Sequence, residues 1–540
     1  MSSVKCLINS LFGVAVLLFF GLAYPHHLHY QEQYQLFLFD GTYAWEIIRQ
    51  PGGMADLLGR FCTQFFLYAW VGAFIIALLL SAVQLLTLRL FKVHSSQFIV
   101  HSSYGLSFVP SFLLWLFLLD ENALLGGVWA VLLTLLVACV IVKLTNGRMR
   151  YVLLTIAIPV LYWLAGPVCF PIPVDSLWLG AHYYRYPTVF PWLLWAASLS
   201  VFVIAGLVLL IRHRLKHISY LSPLTSYLSF ALVAAVMGSL VWKNANLKAE
   251  KVMQYDFMAT HQQWNRILEA ISKEKPNNQI GVTVQNLALA MHGMLLDHMF
   301  EYNQNGIAGL LPDVKEDATS PIPTAEAFYQ LGMVNVAQRT VFEAQEAILD
   351  FQKSGRCYKR LAETNLINGQ YDVARKYLQM LEKTIFYRPW AQRTMAMLGN
   401  EKAINAHPIY GTLRQYRLQE DFLFSDRELD KICGQLFVHN PQNQMAAQYL
   451  VMLPLLDNDM PRFMQYVQVV QNKINYNPRH CQEGIAFAFM QQRQQPPRGV
   501  VSQLILQQMN EFAQAYSQDR NSPELNRFRN TVWYYLTVGK

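Results

Sequence analysis

Charge is scarce in this sequence. Only 14% of its 540 residues are Asp, Glu, Lys or Arg, against about 25% in an average soluble domain. The deficit is local: residues 1–242 hold nearly all the long apolar runs, and charge collects after Lys243. Two regions suited to different solvents are therefore the minimum organisation. No CxxC spacing occurs among the seven cysteines, which leaves a structural zinc site or a thioredoxin-like motif without support. A G-x-S-x-G elbow, an HExxH pair and a Walker loop are likewise missing. The net charge of +8 comes without a basic tract interleaved with aromatics, so no nucleic-acid partner is expected.

What is present first is membrane signal. Hydropathy predicts seven spans, at Cys6–Tyr24, Gln64–Leu88, Ile99–Leu119, Ala123–Val142, Tyr151–Phe170, Phe190–Ile211 and Leu221–Trp242, each near the 20 residues a bilayer requires. His101, Ser102, Ser103 and Pro110 interrupt the third. Lys5, then Arg89 and Lys92, then Lys143, Arg148 and Arg150, then Arg212, Arg214 and Lys216 fall in every second loop, and so on one side of the membrane. That alternation predicts a cytoplasmic N-terminus and an extracytoplasmic C-terminal half. Within the spans there is no Asp, Glu or Arg, which argues against ion-coupled transport. The segment Tyr162–Trp195, rich in Trp, Tyr and Pro, reads as an interfacial belt against membrane lipid.

Between the first two spans, residues 25–62 form a connection longer than most, and too apolar and aromatic for disorder. Leu36, Phe37, Phe39, Tyr43, Ile47 and Ile48 recur at helix-like spacing, and Pro51-Gly52-Gly53 breaks the run. One or two helices along the outer surface are expected. His26, His27, His29, Glu32, Asp40, Glu46, Arg49, Asp56 and Arg60 make this the densest polar set on the outer face. A carboxylate partly desolvated there could act as a general base or bind a divalent cation. The histidines with Glu32 have no recognised metal-ligand spacing and read as a wetted cluster.

A first helix followed by a long acidic outer loop, further spans and a soluble outer domain resembles the plan of GT-C glycosyltransferases. The resemblance implies a lipid-linked sugar donor and a carboxylate base or metal ligand in that loop, for which Asp40, Glu46 and Glu32 are the candidates. The adjacent acidic pair usual in that family is missing here.

After Lys243 the sequence turns to helix formers. Cys357–Trp390 resembles a tetratricopeptide repeat: Tyr358, Leu361 and Ala362 fit its first helix, Gly369 and Tyr371 its turn, and Ala374, Leu378 and Leu381 its second helix. Pro389 lies beyond the usual closing proline. Weaker copies at Tyr255–Pro276 and Asn443–Pro478, with helical stretches at Ala325–Gln352 and Val500–Ser517, suggest an α-solenoid that binds proteins on a concave face. Cys357, Cys433 and Cys481 permit one disulfide and one free thiol, with the pairing open. The whole resembles bacterial polytopic inner-membrane proteins of unassigned function with a helical-repeat region in the periplasm.

The expected architecture is thus all-α: a transmembrane bundle over residues 1–242, then an extracytoplasmic helical-repeat domain over 243–540. The expected function is a membrane-anchored scaffold for protein partners, with no cofactor. The alternative is a GT-C-type transferase acting on a lipid-linked glycan.

Overall fold

In a computed structural model, the described residues are 2–49, 53–94, 104–144, 192–214, 224–313, 321–348, 352–419, 428–471, 473–474 and 477–539. Among them every regular element is helical. The chain divides into two compact units. One comprises Met1–Met253 with Ile348–Arg356 and Gln379–Ala391; the other comprises Gln254–Ala347, Cys357–Leu378 and Gln392–Lys540.

The first unit begins with α1 (Ser2–Leu18), extended by a π-helical turn over Phe19–Ala23, then α2 (Pro25–Tyr34), α3 (Gly41–Ile48) and α4 (Gly53–Thr63). It continues with α5 (Ala69–His94), α6 (Val109–Phe117), α7 (Leu125–Leu144), α8 (Trp192–Arg214), α9 (Leu224–Asn244) and the start of α10 (Leu247–Thr260). Among the described residues four helices are long and apolar enough to cross a bilayer: Cys6–Ala23, Ala69–Phe91, Leu125–Leu144 and Tyr227–Asn244. Gly105–Phe117 and Trp192–Val201 are shorter apolar stretches. The span expected at Tyr151–Phe170, most of the aromatic segment after it and the break at Pro51-Gly52 lie outside the described residues.

The first helix has an exposed and a buried apolar face. On α1, Leu7, Leu11, Val14 and Leu18 are exposed, while Ile8, Phe12 and Val16 are buried. That three- and four-residue spacing puts each set on one stripe. Phe12 meets Phe108 and Phe112 edge-on, both at 5.2 Å, and Phe112 stacks on Trp115. Where both faces are apolar, close approach decides the packing. At Gly59 of α4 an added Cβ would stand 2.4 Å from the Gly126 nitrogen of α7, so the two backbones touch there.

The first residues of the expected third span lie outside the described residues. Its described part is a 3-10 turn over Gly105–Phe108 followed by α6, with Pro110 in the first helical turn, where its missing N–H costs nothing. Two hydroxyls in this described part are paired with the neighbouring helix. Ser111 Oγ donates to the Leu80 carbonyl at 2.7 Å and Gln84 Nε2 to Ser107 Oγ at 2.9 Å.

In the later half of the chain, helix pairs turn on residues that tolerate left-handed backbone. Gly369 (φ 78°) separates Gly355–Ile367 from Tyr371–Glu382, and Asn458 (φ 66°) separates Gln444–Asp457 from Met460–Val470. Within Gln444–Asp457, Met445 through Leu456 are all buried, the pattern of a helix covered on every side. The stretch Ala325–Gln352 is interrupted at Gly332 (φ 89°), giving Pro321–Leu331 and Val334–Ala347. Cys357, Cys433 and Cys481 are buried free thiols, so the disulfide left open by the sequence does not form.

Candidate functional site

The polar residues of 25–62 lie within the first unit, and α2 organises them. Its N-cap, Tyr24, offers no side-chain acceptor. The cap comes instead from Glu250, whose two carboxylate oxygens accept from the His26 and His27 amides at 2.7 and 2.9 Å. A carboxylate suits the positive end of a helix. Burial nevertheless pushes the Glu250 carboxyl up to about 7, against those two amides. His27 is buried, with Nε2 3.0 Å from the Leu118 carbonyl. Burial lowers it to about 4, so the ring is neutral and donates Nε2–H to that carbonyl. Gln31 Nε2 donates to the Ala123 carbonyl at 3.2 Å. This face of α2 is a structural joint.

One turn further on is Glu32, 6% exposed. The Tyr387 hydroxyl lies 3.2 and 3.3 Å from its two oxygens and donates to them. Burial raises the carboxyl to about 7, while the Tyr387 hydrogen bond and the Arg356 charge pull the other way. Arg356 also donates to Gln33 Oε1 at 3.2 Å. A Cβ on Gly355 would fall 2.6 Å from the Tyr387 ring, so the ring's position needs a glycine there.

Beyond α2 the chain is extended, and its backbone is gripped from both sides. The Leu36 amide donates to the Lys353 carbonyl at 2.9 Å and the Phe39 amide to the Lys383 carbonyl at 2.7 Å. Asp40 then caps α3, accepting from the Thr42 and Tyr43 amides at 2.9 and 3.3 Å. Its other oxygen accepts from Lys383 Nζ at 2.6 Å. The Lys383 bond first, then the two amides, holds the Asp40 carboxyl down at about 2. Glu46 is exposed on α3. Asp56, 2% exposed, takes a bidentate pair from Arg60, Nε to Oδ1 at 3.0 Å and Nη2 to Oδ2 at 2.8 Å.

The candidates therefore do not converge. Asp40 is an ionised cap, Asp56 is spent on its own helix, and Glu46 faces outward. Glu32 alone is buried with a proton affinity near neutrality, which suits proton exchange with the Tyr387 hydroxyl. The His26 and His29 rings lie 5.4 Å apart, tilted by 60°. Among the described residues no three His, Cys, Asp or Glu side chains converge as a metal ion requires. Glu250, Arg356, Lys383 and Tyr387 escaped sequence reasoning because they lie 200 or more residues from their partners. The available signal was Lys383–Trp390, KTIFYRPW, too aromatic and too long to close a helical repeat.

Comparison with known sequences covers nearly the whole chain. Residues 2–539 match a single family. The chain belongs to DUF6057, a family of unknown function. No curated protein and no solved structure matches this DUF6057 member. The tetratricopeptide and GT-C resemblances thus gain no support from comparison.

Proposed function

We propose that this DUF6057 protein is a membrane-anchored helical scaffold. In this reading seven spans hold it in a bacterial inner membrane with the N-terminus in the cytoplasm. The repeat-like second unit stands in the periplasm and binds protein partners in the tetratricopeptide manner. The alternation of Lys and Arg around the spans supports the topology, and the tight helix pairs at Gly369 and Asn458 support the binding mode. The observation that carries the choice is Asp40. The residue best placed by sequence to be a transferase base is occupied by two amides and Lys383.

Cross-linking in native membranes from exposed positions of the second unit, such as Val438 and Leu504, tests this. The expected result is one partner recovered in fixed proportion. Loss of function in Glu32→Gln with the protein folded and a lipid-linked sugar co-purifying would overturn it. The transferase remains the second reading, favoured by the raised proton affinity of Glu32; its divalent cation and lipid-linked glycan are part of that reading alone.

A further inference from the structure

Lys383–Trp390 belongs by its contacts to the first unit, although it lies far along the helical half of the sequence. Phe386 packs edge-on against Phe65 at 5.6 Å and Tyr68 at 5.5 Å. These are residues of the turn that leads into α5. From Phe65 the ring contacts continue to Phe61 at 5.5 Å, and from Phe61 to Phe39 at 6.4 Å. Phe39 is 52% exposed, and Ile385, next to Phe386, is 42% exposed. The same aromatic surface runs into the exposed stripe of α5, which begins with Trp70 and Phe74. Arg388 is exposed at the other end of the segment.

Water is a poor solvent for such a surface, and a bilayer interface is a good one. Aromatic rings sit at the headgroup level, and basic side chains reach past apolar surface to lipid phosphates. Continuity with α5 identifies the occupant: whatever solvates Trp70 and Phe74 meets Ile385 and Phe39 next. We propose that Lys383–Trp390 is an interfacial anchor in which Ile385 enters the outer leaflet and Arg388 meets anionic headgroups. The inference rests on the membrane reading above and adds a contact from a segment the hydropathy pattern leaves out.

The test uses the full-length protein in vesicles of phosphatidylethanolamine and phosphatidylglycerol, with a benzophenone amino acid replacing one residue at a time. Leu78, exposed on α5, reports insertion, and Val438, exposed in the second unit, reports background. Irradiation is expected to give phospholipid adducts at positions 385 and 78 and none at 438. Adducts at 78 with none at 385, a protein adduct at 385, or adducts at all three positions would overturn the anchor while leaving the membrane reading intact. Absence of lipid adducts at both 78 and 385 would overturn the two together.

Discussion

Glu32 makes the stability of the first unit depend on pH in a calculable direction. Its carboxyl is raised from an ordinary 4.5 to about 7, so between those values the folded state holds a proton that the opened state releases. Stability is then full below pH 4.5, falls as pH rises toward 7, and levels off above it. Each pH unit in that window removes about 1.4 kcal/mol, or about 3 kcal/mol in all, if opening hydrates Glu32 completely. Glu250 shifts in the same direction, so the wild-type profile contains both groups. Glu32→Gln isolates one of them. The amide oxygen still accepts from Tyr387, and the ionisation is gone. The assay is hydrogen exchange at the Leu36 and Phe39 amides, which donate to Lys353 and Lys383 and report opening of this clasp. After correction for intrinsic rates, the ratio of variant to wild-type protection is expected to rise roughly 100-fold from pH 4.5 to pH 7.5. Tyr387→Phe is expected to cost more protection at pH 8 than at pH 5, because the hydroxyl bonds the ionised carboxylate more strongly. A pH-independent ratio in Glu32→Gln would refute the account of a buried, protonated Glu32.

Asp40→Asn keeps a good cap and loses only charge, whereas Asp40→Ala loses the cap as well. Exchange is expected to quicken across α3 in the alanine variant alone, and function to survive in the asparagine variant if Asp40 is not a base. Gly59→Ala forces a methyl against the Gly126 backbone and is expected to cost about 1–3 kcal/mol in thermal unfolding in detergent. Gly41→Ala, with nothing within 4 Å of its Cβ, is the tolerated control. In the second unit Glu483, fully buried, accepts from Arg479 Nε at 2.9 Å and the Val532 amide at 3.0 Å, and its Oε2 lies 2.9 Å from His480 Nδ1. Glu483→Ala abandons these partners and is expected to cost about 3 kcal/mol or more, read as faster exchange of the Val532–Thr537 helix.

Local signals were legible and distant ones were not. The all-helical class, the turn at Gly369 and the apolar helices at Cys6–Ala23 and Ala69–Phe91 follow from periodicity, glycine and hydropathy, which act over a few residues. Helical structure in 25–62 follows from the same kind of evidence. Of the expected third span only the part from Tyr104 onward is described, and it is an apolar helix that passes through Pro110. The acidity of Asp40 is visible in the sequence and its ion pair is not: Lys383 lies 343 residues away. Tyr387 lies 355 residues from Glu32, and no window reaches that far. The histidine cluster is only partly the wetted set that its spacing predicts. His27 is neutral and buried against Leu118, not wetted.

The first unit is not contiguous in the chain: Ile348–Arg356 and Gln379–Ala391 complete it. A ribosome that has finished Met253 has still to make both pieces. At about 5–20 residues per second that takes roughly 10–30 s. Throughout this interval Glu32 and Asp40 wait without Tyr387 and Lys383, and the extended stretch around Leu36 is bare backbone. Biogenesis of this protein therefore has an obligatory late step, in which material made last closes what was inserted first. A chain arrested before Ala391 would present the quality-control machinery with an unfinished clasp, however well its early helices had entered the lipid.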